Sequence, residues 1–152
     1  MKTNKMNYRI RAGLIVAGVM FLLVNSCEIT DDILGNVTVS KLSGEWICDE
    51  NSEYFDKKST ASAYSVYISA DVDNVNGVLI DGFYQLGDIG VKANVSGLTI
   101  TIPEQVVEGG YTILSGTGAI SGNYKEIEWS YDVNIGGDAI DNVTATYTKL
   151  DK

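Results

Sequence analysis

The sequence predicts an all-β domain, an antiparallel barrel of about eight strands, with a β-sandwich as the alternative. The first observation is composition, because sixteen glycines and nine tyrosines accompany a single proline, which is typical of strands separated by glycine turns. The second is alternation, since apolar and polar residues take turns along several short segments. The third is spacing, because turn residues interrupt these segments at short intervals and helical periodicity is absent beyond the N-terminal leader.

The first 26 residues have the organisation of a signal peptide. Four basic residues precede an uncharged run over 12–24, which is shorter than the ~20 residues that a helix needs to span a bilayer. The residues that end this run, VNSC at 24–27, resemble the lipobox of bacterial lipoproteins. The resemblance implies that residues 1–26 are removed and that Cys27 becomes an acylated N-terminus.

A disulfide between Cys27 and Cys48 is the alternative, because these are the two cysteines of the chain and exported proteins enter compartments that permit disulfides. If Cys27 carries lipid, Cys48 is left single and is expected to be a small buried hydrophobe on a strand. Each buried methylene contributes about 0.8 kcal/mol, so two or three acyl chains hold a domain firmly at a membrane. This predicts an outer-membrane lipoprotein that faces the periplasm or the cell surface.

Residues 27–41 are predicted to form a tether between the lipid and a barrel domain over 42–152. Glu28, Asp31 and Asp32 resemble the acidic stretch that follows the cysteine in surface-exported lipoproteins of Bacteroidetes, and a merely solvated tether is the alternative. Without the leader, seven lysines stand against twenty acidic residues, which gives a net charge of −13. Nucleic acid is therefore not expected as a partner, because its binding sites need basic patches.

The strands of the barrel domain are predicted from alternation and turn residues. The first segment alternates around Trp46 and Cys48, and the third is predicted to kink at Gly82. The fifth is predicted to point Leu98 inward together with its isoleucines. Gly116 and Gly118 are expected to let a later strand bend, as barrel corners require. The predicted strands span 44–49, 63–69, 78–86, 91–95, 98–102, 111–121, 126–133 and 143–150.

A family resemblance is carried by LSGEW at 42–46, which is similar to the glycine-x-tryptophan start of lipocalin and calycin barrels. In that superfamily the tryptophan closes one end of the barrel, and a basic residue of the last strand packs on it. The resemblance therefore implies barrel-closing roles for Gly44, Trp46 and Lys149. The whole mature chain most resembles the small lipocalin-like lipoproteins of Bacteroidetes, some of which are described as lipid-binding proteins.

An eight-stranded barrel has an interior wide enough for one small ligand or for side chains alone. The candidate residues for lining a ligand cavity are aromatic and predicted to face inward: Tyr64, Trp129, Tyr131 and Tyr147. The alternative at each position is a plain core role, because aromatic residues dominate burial in small β domains.

The chain offers little for catalysis. It contains no histidine, and no glycine-x-serine-x-glycine nucleophile elbow occurs. Glu126 and Glu128 are the obvious carboxylate pair for glycoside hydrolysis, but alternation places them on the face opposite Trp129, which is expected to meet water. The turn DVDNVNG at 71–77 lacks the ligand spacing of an EF-hand. No enzyme activity, cofactor or metal is therefore expected.

These observations together predict a lipid-anchored cell-envelope protein that binds a small apolar or amphipathic ligand without chemistry. Its partners would be the membrane, through acylated Cys27, and the ligand. The alternative is an accessory β-sandwich lipoprotein in a surface complex for glycan uptake or adhesion, which would use an exposed face to bind another protein.

Overall fold

The structure, a computed structural model, describes residues 37–54 and 63–151 and is almost entirely β. The predicted signal peptide, Cys27 and the first part of the tether lie outside these residues. Within them, a short helical segment over 37–42 precedes the strands. The strands are β1 Gly44–Asn51, β2 Ala63–Ala70, β3 Gly77–Asp81, β4 Val91–Ser96, β5 Thr99–Ile102, β6 Gln105–Val106, β7 Thr112–Ile120, β8 Glu126–Gly136 and β9 Ala139–Lys149.

The sheet closes on itself. Antiparallel pairing runs from β1 to β5, continues from β5 to β7, β8 and β9, and returns from β9 to β1. The result is a closed eight-stranded antiparallel barrel, with β6 as an extra strand on β7. The predicted all-β barrel is confirmed, and the architecture is consistent with a lipocalin-like fold. Because closure removes both sheet edges, the β-sandwich alternative does not apply.

The two ends of the barrel differ. At one end, here the helix end, β1 begins and the helical segment 37–42 packs Val39 and Leu42 into the core. Residues 37–41 of the predicted tether thus belong to this helical segment. At the other end, here the loop end, lie the connections that follow β1, β3, β5 and β8. No helix among the described residues is long and apolar enough to cross a membrane.

Alternation fills the barrel interior as predicted. Trp46 and Cys48 of β1 are buried, as are the inward residues of β8 and β9. Gly116 and Gly118 of β7 give room to neighbouring side chains. A Cβ atom at Gly118 would lie 3.0 Å from the Trp129 ring, and one at Gly116 would lie 3.1 Å from Ile102. These glycines, predicted to permit bending, also leave space for the Trp129 and Ile102 side chains to lie against β7.

Two sequence predictions about strands were wrong. The strand predicted over 78–86 ends at Asp81, because Gly82 has a φ of 81° and turns the chain into a 3₁₀ turn. Leu98 was predicted to face inward, yet it is 44% exposed. It lies in the β4–β5 turn beside Gly97, whose φ of 58° reverses the chain before β5 begins.

Candidate functional site

The three residues with predicted barrel-closing roles meet at the helix end. Trp46 is fully buried, and its Nε1–H donates a hydrogen bond to the Leu42 carbonyl at 2.9 Å. The Lys149 ammonium lies 5.4 Å from the centroid of the Trp46 ring and donates to the Lys41 carbonyl. Gly44 lies beside this stack and has a φ of 131°, a backbone conformation that side chains rarely adopt. Partial burial, together with the charge of Lys125, lowers the pKa of Lys149.

The four predicted ligand-lining residues lie towards the interior. Trp129, Tyr131 and Tyr147 are buried, whereas Tyr64 is half-buried. The ring centroids of Trp129 and Tyr147 are 5.6 Å apart. Burial raises the pKa of Tyr64, Tyr131 and Tyr147, so their hydroxyls stay protonated, and those of Tyr64 and Tyr131 donate to Glu50.

The β3–β4 connection inserts two aromatic residues, Phe83 and Tyr84, into the loop end; we call this pair the aromatic plug. Both residues are fully buried. The Phe83 ring lies 4.5 Å from the Tyr131 ring and 6.0 Å from the Trp129 ring, centroid to centroid. The plug therefore contacts two of the predicted ligand-lining residues, Trp129 and Tyr131.

Backbone geometry holds the plug in an uncommon conformation. Tyr84 and Gln85 have φ values of 52° and 57°, in the left-handed region that costs non-glycine residues about 1–3 kcal/mol. A hydrogen bond of 2.6 Å from the Gly82 N–H to the Gly87 carbonyl closes the loop. Gly82 itself cannot carry a side chain without strain, since a Cβ there would lie 2.9 Å from the Ser65 carbonyl oxygen.

Beneath the plug lies a buried carboxylate, Glu50 of β1. Its Oε2 accepts a hydrogen bond from the Tyr64 hydroxyl at 2.5 Å and another from the Tyr131 hydroxyl. Burial raises the pKa of Glu50; hydrogen bonds from Tyr131 and Tyr64 and the nearby Gln85 side chain offset part of this rise, and the charge of Asp141 adds to it. Its second oxygen, Oε1, has no hydrogen-bond partner among the described residues.

A second buried carboxylate, Asp141 of β9, has the same character. Its Oδ2 accepts hydrogen bonds from the Ser52 hydroxyl at 2.5 Å and from the Tyr84 hydroxyl at 2.7 Å. Its Oδ1 is buried without a partner among the described residues. We call Glu50 and Asp141 the carboxylate pair. The Tyr84 hydrogen bond links this pair directly to the aromatic plug.

The carboxylate pair has no compensating cation in the described part of the chain. There, the ion pair formed is Lys125 with Asp151. The described lysines lie elsewhere: Lys41, Lys125 and Lys149 at the helix end, and Lys92 exposed on β4. Burying a carboxylate without a paired charge is costly, so the pair is an unusual feature of a small barrel.

Other polar atoms at the centre of the barrel are also unpartnered. The Tyr147 hydroxyl and Trp129 Nε1 are buried and have no hydrogen-bond partner among the described residues. Cys48, a free thiol, is fully buried beside them, and burial raises its pKa to about 12. A thiol of that pKa is not a nucleophile at neutral pH, so Cys48 matches the predicted buried hydrophobe.

A surface groove of about 450 Å³ runs along the outside of β2 next to the plug loop. Its lining includes the acidic residues Glu45, Asp81 and Asp88, and none of the described lining residues is basic. Tyr64 and Gln85 also line it, and both side chains lie close enough to Glu50 to lower its pKa. Tyr64 and Gln85 thus connect the groove with Glu50 of the carboxylate pair.

Sequence reasoning missed the carboxylate pair and the plug, although a signal existed for each of them. The predicted strand 44–49 stopped one residue short of Glu50, which continues the inward series of Trp46 and Cys48. Asp141 likewise extends the inward series of Val143 by one step towards the N-terminus. For the plug the signal was the predicted kink at Gly82, but the strand was predicted to continue through it, so the inward position of Phe83 and Tyr84 was missed.

The residues considered for catalysis and metal binding remain apart from this region. Glu126 and Glu128 are exposed on the outer face of β8, as alternation predicted. No group of three or more Cys, Asp or Glu residues in the described ranges is arranged to hold a metal ion. The two candidate chemistries therefore gain no geometric support.

No protein-family model matches the chain, and a search of curated proteins gives no match.

Proposed function

We propose that this chain is a lipid-anchored cell-envelope protein whose barrel binds a small amphipathic ligand at the loop end. The observation that carries the proposal is the set of buried, unpartnered polar atoms next to aromatic rings. Buried polar groups normally find partners in the protein or in ordered water. The polar end of an amphipathic ligand would supply hydrogen-bond partners for the buried polar atoms, and its apolar body would pack against the aromatic rings.

The aromatic plug supports the location of the ligand site. Phe83 and Tyr84 occupy the space above Tyr131, where a ligand body of similar size would pack. Their loop stores backbone strain at Tyr84 and Gln85, and such strain is concentrated at ligand clamps and switch regions. We propose that the ligand displaces the Phe83 ring of the plug and takes over its contacts with the Tyr131 and Trp129 rings.

The cellular address is proposed from the sequence. The lipobox resemblance at 24–27 supports acylation of Cys27, and the resemblance to lipoproteins of Bacteroidetes supports the outer membrane, with the barrel facing the periplasm or the cell surface. A barrel anchored in this way would hold a ligand close to the bilayer, as a lipid-binding carrier requires.

Native mass spectrometry tests this proposal. The full chain, extracted with nonionic detergent from the membranes of its own cells, is expected to carry a co-purifying small molecule that dissociates on unfolding. The matched variants are Trp129→Leu, which is expected to reduce the bound fraction, and Val72→Leu in an exposed turn, which is expected to retain it.

The outcome that contradicts the proposal is a barrel that is ligand-free in every preparation and crosslinks in cells to one dominant protein. That result would favour the accessory role in a glycan-uptake or adhesion complex.

A further inference from the structure

The geometry points to an organic ammonium ion as the polar end of the ligand, bound between Glu50 and Asp141 at the loop end of the barrel. This inference rests on the proposed ligand-binding function and specifies the chemical class of the ligand. Two independent features support it, the unpartnered oxygens of the carboxylate pair and the acidic groove beside it.

The carboxylate pair is short of hydrogen-bond donors. Glu50 is 6% exposed and Asp141 is 3% exposed, and each has one oxygen without a partner among the described residues. The hydroxyls in contact with the pair already donate to the other oxygen of each carboxylate. A protonated amine carries up to three N–H donors and a positive charge, so it can donate to an open oxygen of the pair and supply the cation that the described residues do not place there.

Two tyrosine rings border the carboxylate pair. The Tyr84 and Tyr131 rings pack edge to face with their centroids 6.2 Å apart. Tyr84 donates to Asp141, and Tyr131 donates to Glu50, so both rings lie next to the pair. The carbon skeleton of an organic amine could pack against them while its ammonium group lies at the carboxylates.

The groove outside β2 provides an approach of matching charge. Its three carboxylates, Glu45, Asp81 and Asp88, face solvent without a basic residue among the described lining residues. A cleft lined by one sign of charge concentrates ions of the opposite sign. Tyr64 and Gln85 connect this groove with Glu50, and Gln85 belongs to the strained plug loop.

An organic ammonium fits this site better than a metal ion. Calcium requires six to eight oxygen ligands, and magnesium requires six in near-ideal octahedral geometry. The carboxylate pair offers two open oxygens, and no metal-holding group of three acidic or thiol residues occurs in the described ranges. The apolar rings around the pair would instead pack against the carbon skeleton of an amine.

The test uses three probes of one shape and different charge: phenethylammonium, 2-phenylethanol and hydrocinnamate. Each is titrated by calorimetry into the full anchored chain in nonionic detergent at neutral pH. We expect phenethylammonium to bind at least tenfold more tightly than the alcohol, and hydrocinnamate not to bind. The double variant Glu50→Gln/Asp141→Asn is expected to weaken phenethylammonium binding about 10- to 100-fold, the range for hydrogen bonds to charged groups.

Matched variants show whether a loss of phenethylammonium binding comes from the carboxylate pair, from unfolding or from lysines of the chain itself. Glu128→Gln removes an exposed carboxylate on the outer face of β8 and is expected to leave binding unchanged. Circular dichroism is used to check that the double variant is folded; if it is not, the single variants Glu50→Gln and Asp141→Asn replace it. Lys57→Gln/Lys58→Gln tests whether ammonium groups of the chain itself, in residues outside the described ranges, serve the pair.

Three results would overturn the inference while leaving the proposed function standing. The first is binding of 2-phenylethanol or hydrocinnamate that is as tight as that of phenethylammonium or tighter. The second is unchanged phenethylammonium binding in the variants of Glu50 and Asp141. The third is phenethylammonium binding that is detected only in the Lys57→Gln/Lys58→Gln variant. Displacement of phenethylammonium by an equimolar amount of Ca²⁺ would also overturn the inference, because it would show that the site prefers a metal ion. Failure of all three probes, with no co-purifying molecule, would instead remove the proposed function.

Discussion

Glu50 places a carboxyl group in the interior of the barrel. It occupies an inward position on β1 that would ordinarily hold an apolar side chain, two residues after Cys48. Tyr64 and Tyr131 donate to one of its oxygens, but no cation is paired with it in the described part of the chain. Burying an acid without a paired cation costs free energy, which is reflected in its raised pKa.

Glu50→Gln is expected to change how stability depends on pH. The pKa of Glu50 is raised above its ordinary value of 4.5, chiefly by burial. Above that value the unfolded chain loses the proton that the folded protein still holds, so stability falls as pH rises until Glu50 ionises in both states. Each tenfold difference in proton affinity corresponds to about 1.4 kcal/mol.

The measurement is urea unfolding of wild type and Glu50→Gln at a series of pH values from 4 upward. The stability difference in favour of the glutamine variant should grow with pH. Glu128→Gln, exposed on β8, is the control and should remain close to wild type throughout. A difference for Glu50→Gln that is constant with pH would show that Glu50 is not held protonated by the fold.

Single residues also show which features of the candidate site were predictable from the sequence and which were not. Alternation correctly placed Trp129, Tyr131 and Tyr147 inside, because period-two patterning depends only on local backbone geometry. The partners of Glu50 could not be predicted, because Tyr64 and Tyr131 come from strands 14 and 81 residues away. Which oxygen atoms remain unpartnered depends on packing that no local pattern encodes.

At the scale of elements, β7 shows how glycine sets the packing of its neighbours. Gly118 lies opposite Trp129 in the β7–β8 pairing, and the ring of Trp129 covers it. The sequence indicated flexibility at this strand, whereas the structure gives the glycine a steric role. The distinction matters, because a glycine that only permits a bend can be replaced by alanine, whereas a Cβ atom at Gly118 would press against the Trp129 ring.

Gly118→Ala is expected to destabilise the barrel by about 1–3 kcal/mol, as overpacking of a close-packed core does. The added Cβ would meet Ile127 and Trp129 atoms at 3.0 Å. Gly122→Ala is the matched control, since a Cβ there has nothing within 4 Å. Chemical unfolding of both variants measures the difference, and equal stability of the two would mean that Trp129 moves aside freely.

The β3–β4 connection is the element where sequence prediction failed most. Residues 78–86 alternate well enough to predict one long strand, but Gly82 in the left-handed region ends β3 early and redirects Phe83 inward. Tertiary packing on Tyr131 and Trp129 then stabilises a local conformation that the sequence alone disfavours. This element is also the one that covers the candidate ligand site.

Phe83→Ala is expected to open the loop end. Removing a buried phenylalanine costs about 3–5 kcal/mol of stability, and it leaves space beside Tyr131. Uptake of a neutral apolar fluorescent probe such as N-phenylnaphthylamine is expected to be faster and more extensive than in wild type. Val72→Ala, in an exposed turn at the helix end, is the control; unchanged uptake in Phe83→Ala would argue against the plug as the entrance.

The whole molecule combines a closed barrel with a strongly acidic surface. Strand number and fold class were predictable, because alternation and turns recur along the entire chain. The closing pair, β1 with β9, was not predicted as such, since it joins the first and last strands of the domain, and the pairing of β5 with β7 was not predicted because the chain passes through β6 between them. Closure pairs both long edges of the eight-stranded sheet, and the two-residue strand β6 lies beside β7 as a short additional edge.

Cys27→Ala is expected to release the protein from membranes. If Cys27 carries two or three acyl chains, burial of their methylenes supplies the attachment, and replacing the sulfur removes the acylation site. Fractionation of cells and partitioning into detergent should move the variant from the membrane to the soluble fraction, with loss of metabolic labelling by fatty acid. Cys48→Ala is the matched control, because it removes the buried thiol inside the barrel and leaves the anchor intact. A Cys27→Ala protein that still enters the detergent phase would mean that the attachment does not depend on lipid at this cysteine.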